Sequence, residues 1–199
     1  IREIRNACAQ GKFPEAEKIV AKRGGETQEA WTLKLSLADG YYMWGKYAEA
    51  QKIYDGFFAK FPDGPKPALK GFYLESAYKY SQMMLMMDNK PAAAKAYRAA
   101  VKAKPERHID RQLKSELCEV LLQLAEEADA KARPALLAEI KKYVDEILWV
   151  QDLWFGRAIV MLAHMQKMQN NIDGAMSLID DYTSQLKDID KALKQSADE

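Results

Sequence analysis

Catalysis at neutral pH needs titratable or nucleophilic side chains brought together, and this chain offers few. His108 and His164 are its only histidines, and Cys8 and Cys118 its only cysteines. There is no HExxH pair, no GxxxxGK[ST] loop and no GxSxG elbow, so zinc-protease, P-loop and hydrolase-nucleophile chemistry lack their carriers. Neither cysteine has a second one at ligand spacing. His164 lies one residue off the Met161, Met165, Met168 stripe and reads as partly exposed packing or groove lining. His108 stands beside Asp110 at a helix start and reads as a capping-region residue. Carboxylate pairs such as Glu126 and Glu127 fall in solvent on a helical surface. No catalytic constellation emerges, and neither enzyme activity, metal nor cofactor is expected.

Two further residue sets invite a chemical reading. Met83, Met84, Met86 and Met87 fall within five residues, and methionine makes adaptable apolar surface or a soft-metal ligand. Consecutive residues point all round a helix, so half of the four should fill core and half should edge a groove. Cys8 and Cys118 each sit inside an apolar helical pattern and read as buried free thiols.

The bulk composition sets the frame for these residues. Of 199 residues 48% are apolar and 30% charged, with a net charge of +1; this is a soluble globular composition without the basic excess that nucleic-acid binding needs. No apolar run approaches the roughly 18 residues of a membrane span, so no transmembrane segment is expected. The chain begins at Ile1 without a signal-peptide pattern. It reads as a trimmed or mature segment, with a signal or lipid anchor ahead of it left open.

The elements that must position these side chains are helices. Tyr47, Ala50, Ile53, Tyr54, Phe57 and Phe61 recur at helical spacing, as do Leu113, Leu117, Val120, Leu121 and Leu124. The same stripe returns at Leu137, Ile140, Val144, Ile147 and Leu148, and at Ile172, Ala175, Ile179, Tyr182 and Leu186. Breakers stand at Gly24-Gly25, Gly45, the run PDGPKP (residues 62–67), Pro91, Pro105 and Pro134. Cutting there predicts an all-α fold of about ten helices, mostly 12 to 22 residues long.

One phrase occurs twice, GKFPEAEKI at residues 11–19 and GKYAEAQKI at 45–53, starting 34 residues apart. A helix pair with this period resembles the tetratricopeptide repeat. Leu37, Ala38 and Tyr41 on a first helix carry the resemblance, with Gly45 at the turn, Tyr47, Ala50 and Tyr54 on a second helix, and Pro62 closing the unit. Ala93, Tyr97, Ala100 and Pro105 repeat the spacing of Ala50, Tyr54, Phe57 and Pro62. There the turn glycine is replaced by Asp88, and 43 residues separate Ala50 from Ala93, which predicts a longer loop and first helix around residues 65–87. A fourth unit keeps only amphipathic pairing. A fifth returns with Leu162, Ala163, Asn170, Ile172, Ala175 and Ile179. The resemblance implies five repeats (1–25, 28–62, 66–105, 107–150 and 152–187) and a charged tail at 188–199, as one right-handed superhelical solenoid.

In this family the first helix of each pair lines a concave face where partner peptides lie. Matching positions gives Leu35, Asp39 and Tyr42, then Tyr78, Gln82 and Leu85, then Arg157, His164 and Lys167 as groove candidates. The lysines and asparagines that clamp acidic chaperone tails are missing, since Leu35, Asp39, Tyr78 and Gln82 occupy those sites. A protein or peptide partner with apolar anchors is expected, centred on Tyr42 and Tyr78. The stretch from YAEAQKIYDGFFAKFPDGPKP onward looks like repeats of bacterial cell-envelope proteins, which implies the periplasmic side. A regulatory or docking domain of a larger enzyme is the alternative, and an aromatic-rich end stacking on a second copy would make a homodimer.

Overall fold

Residues 1–62 and 69–197 are described by a computed structural model, and among them every regular element is a helix. In chain order these are α1 Arg2–Ala9, α2 Phe13–Lys22, α3 Gln28–Met43, α4 Tyr47–Lys60, α5 Lys70–Met86, α6 Lys90–Lys102, α7 Arg107–Glu127, α8 Arg133–Ile147, α9 Leu153–Met168, α10 Ile172–Asp181 and α11 Thr183–Ala197. Most of the breaker run PDGPKP, and the loop expected from residue 65 onward, lie outside the described residues. Among the described residues the first helix of this hairpin is longer by one residue, 17 in α5 against 16 in α3. Pro91 and Pro134 sit in the opening turns of α6 and α8, where a missing N–H removes no helical bond. Much of the supposed charged tail is helical, because Leu186, Ile189 and Leu193 supply an apolar stripe to α11.

Four turns share one backbone solution. Gly11, Gly45, Asp88 and Asn170 all take positive φ, at 72°, 69°, 55° and 59°. At each, the residue's own N–H bonds the carbonyl three back, and the next N–H bonds the carbonyl five back (Gly45→Tyr42 3.0 Å and Lys46→Tyr41 2.9 Å). Asn171 repeats this with Gln166 at 3.0 Å. This closure satisfies the last carbonyls of the helix and reverses the chain within three residues. Glycine reaches the left-handed region freely, and Asp and Asn are the side chains that best tolerate it. The turn position therefore survives the loss of its glycine.

The chain forms two compact units, residues 1–105 and 106–199. In the first, α1/α2, α3/α4 and α5/α6 are hairpins, and the first helices pack on one another, α1 on α3 and α3 on α5. Fully buried alanines on the second helices (Ala16, Ala50, Ala93) let each hairpin close. Aromatic pairs join one hairpin to the next: Phe13 stacks on Tyr41 at 4.7 Å, and Phe57 meets Tyr73 at 5.7 Å. Tyr54 and Tyr80 are buried, and their hydroxyls donate to Asp39 and Asp55 at 2.8 and 2.7 Å. Burial and these carboxylates hold both phenols above the ordinary tyrosine range.

In the second unit α7 pairs with α8, α9 with α10, and α11 packs on α9. Leu117, Leu121, Ile140, Val144 and Ile159 form its core with no exposed surface, each contributing about 1.5–3 kcal/mol by burial. The α7/α8 hairpin lacks the left-handed turn. Asp129 Oδ1 instead accepts from the N–H of Lys131 and Ala132 at 3.0 and 2.7 Å.

Candidate recognition grooves

Each unit carries a groove walled by first helices. In the first, Arg5 and Cys8 of α1, Asp39 and Met43 of α3, and Glu75 and Lys79 of α5 enclose ≈ 520 Å³. Its charges are largely committed to one another. Lys79 donates to Asp39 and Glu75, at 2.7 Å each. Those two hydrogen bonds raise the Lys79 pKa against the opposing effect of burial. Since Asp39 also accepts from Tyr54, it ties α3 to α4 and α5 before it meets any ligand.

The second groove, ≈ 530 Å³, runs between α7, α9 and α11. Its apolar lining includes Leu122, Leu153, Val160, Leu186 and Ile189. Val160 is 58% exposed although it is β-branched and mid-helix. Two contacts cross from α7 to α9 at the rim, the Glu119–Arg157 ion pair at 3.3 Å and Glu126–His164 at 2.8 Å. Arg157 also lies over the Trp154 ring at 5.3 Å. Desolvation pushes the Glu119 carboxyl up, with Arg157 opposing and Glu116 adding to the rise.

The nine expected groove residues divide unevenly. Arg157 and His164 line the second groove and Asp39 the first. Leu35 is a correction, since it is 2% exposed and belongs to the core. On α3 the groove face runs through Ser36, Asp39, Gly40 and Met43, and Leu35 is rotated by about 100° from Ser36. Tyr42 is half-buried against Tyr47 at 6.1 Å, outside the groove lining. Tyr78 and Leu85 are half-buried and likewise outside it, and Gln82 donates to the Tyr97 hydroxyl at 2.7 Å. Lys167 is exposed beyond the groove lining. Tyr42 and Tyr78 therefore stand outside both groove linings.

Of the four methionines, Met83 and Met84 are buried. Met86 is 63% exposed and accepts from the Tyr47 hydroxyl at 3.0 Å, outside either groove lining. Both cysteines are buried free thiols, and burial pushes each pKa up, away from the thiolate a nucleophile requires. Among the described residues no three His, Cys, Asp or Glu side chains converge as metal ligands would.

Charge divides unequally between the units. Residues 1–105 hold 18 lysines and arginines against 11 acids, and residues 106–199 hold 12 against 18, net +7 and −6. The whole-chain value of +1 conceals both.

Comparison with protein-family models, with curated proteins and with solved structures finds no match.

Proposed function

We propose that the chain is a non-enzymatic scaffold that binds a segment of a partner protein in a groove lined by the first helices of its hairpins. The hairpins, on this reading, are tetratricopeptide-type repeats stacked in the right-handed sense within each unit. The supporting observation is the α7–α9–α11 groove. It leaves a branched apolar side chain, Val160, 58% exposed and flanks it with the Glu119–Arg157 ion pair and the Glu126–His164 contact. A folded chain gains nothing from that exposure, whereas an apolar strip with a polar rim is the composition of a recognition surface. The cell-envelope phrasing of residues 47–80 suggests a periplasmic partner involved in envelope assembly. Among the described residues no helix is long and apolar enough to cross a membrane.

Capture of interacting proteins from native extract, with quantification by mass spectrometry, tests the scaffold. Val160→Asn should deplete a discrete partner about tenfold, the loss expected of an apolar anchor contributing roughly 1.4 kcal/mol. Lys142→Ala, on the exposed surface of α8, should leave it in place. An identical captured set for both variants would reject the groove.

A further inference from the structure

We infer that the α7–α9–α11 groove takes a basic amphipathic helix of its partner, with apolar side chains against Leu153, Val160 and Ile189 and lysine or arginine side chains facing Glu119 and Glu126. The inference rests on the scaffold reading and adds the partner's chemistry. Along α9, Leu153 and Val160 are seven residues apart on one face, and Leu186 and Ile189 of α11 repeat the apolar strip on the opposite wall. The strip from Leu153 to His164 is roughly 16 Å long at 1.5 Å per residue, the length of about three helical turns. A helix laid along it would present its i, i+3, i+4 and i+7 side chains to the strip.

The charge of the occupant follows from α7. Residues 115–127 carry Glu116, Glu119, Glu126 and Glu127 without one lysine or arginine. Glu119 and Glu126 line the groove and meet Arg157 and His164 of α9. They stand in a unit whose net charge is −6. An acidic helix would bring carboxylates against this wall, while a basic one would complement it and be drawn in by the surrounding field.

The test uses the full chain and two synthetic eighteen-residue peptides with leucines at helical i, i+3, i+4 and i+7 spacing. One has lysine at its flanking positions and the other glutamate. Binding is followed by fluorescence anisotropy, with circular dichroism confirming that each variant stays folded. The lysine peptide should bind saturably and the glutamate peptide at least tenfold more weakly, while Glu119→Gln with Glu126→Gln should weaken the lysine peptide about tenfold. Asp173→Asn with Asp180→Asn removes the same charge from exposed positions on α10 and should leave its affinity unchanged.

Equal binding of the glutamate peptide overturns the inference and leaves the scaffold reading intact. Equal weakening by the α10 pair overturns it as well, since attraction to the acidic unit would then be diffuse. Absence of lysine-peptide binding likewise overturns it. The scaffold reading itself falls only if Val160→Asn also leaves the captured partner unchanged.

Discussion

Arg111→Met will destabilise the second unit by about 3 kcal/mol, the low end of the range for breaking a buried ion pair from one side, because the Asp152 side chain keeps 36% of its surface exposed. Arg111 is 6% exposed, and each nitrogen of its guanidinium is engaged. Nε and Nη2 form a two-point pair with Asp152 at 3.0 and 2.6 Å, Nη2 also donates to the Val150 carbonyl at 2.8 Å, and Nη1 donates to the Ile147 carbonyl. One side chain on α7 thereby fixes the end of α8, the connection after it and the N-cap of α9. Methionine fills part of the volume but leaves Asp152 without its cation and two carbonyls without this donor. Asp152→Asn should cost less. An asparagine oxygen can still cap α9 through the Phe155 N–H, now bonded at 3.1 Å. Urea unfolding followed by far-ultraviolet circular dichroism measures both variants. A loss below about 1 kcal/mol for Arg111→Met would mean the guanidinium does not hold these elements together.

The second large effect reverses a familiar sign. Gly40 lies inside α3, and exchanging a helical glycine for alanine ordinarily stabilises by about 1 kcal/mol. Here a Cβ would stand 2.5 Å from Cys8 Sγ and 2.6 Å from Cys8 Cβ, so α1 and α3 touch only because Gly40 has no side chain. Gly40→Ala should therefore destabilise the first unit by about 1–3 kcal/mol through overpacking. Adding Cys8→Ala should recover only part of the loss, because the Cβ at 2.6 Å remains. Gly45→Ala separates backbone strain from clash. Its φ is 69° and a Cβ there meets no described atom within 4 Å, which leaves the left-handed cost of about 1 kcal/mol. Thermal unfolding of the three variants checks the order. Stabilisation by Gly40→Ala would show that the two helices can move apart freely.

These cases mark what the amino-acid order made legible. Gly11, Gly45, Ala50 and Tyr54 announce turn and close packing because local backbone geometry and the alanine contact demand those residue types in one place. Asp88 and Asn170 could be matched to the same turn for that reason. Arg111 carries no sequence signal, since its partners lie 36 to 41 residues away and its donated bonds go to two backbone carbonyls and one capping carboxylate.

The groove was legible as a set of helices but not as a set of side chains. A shift of one residue along α3 separates Leu35, in the core, from Ser36, which lines the groove with Asp39. Val160 carries no sequence signal, because one valine within an apolar helix looks like core until its exposure is known. The opposed charges of the two halves are hidden because they cancel in the total.

Site-specific photo-crosslinking tests the claim that the groove between first helices is the binding surface. A benzophenone side chain at Val160 in the α7–α9–α11 groove, and another at Lys142 on α8, would be illuminated in native extract. The scaffold account predicts one discrete adduct from position 160, competed away by excess unlabelled chain, and none from position 142. An adduct from position 142 with none from 160 would contradict it.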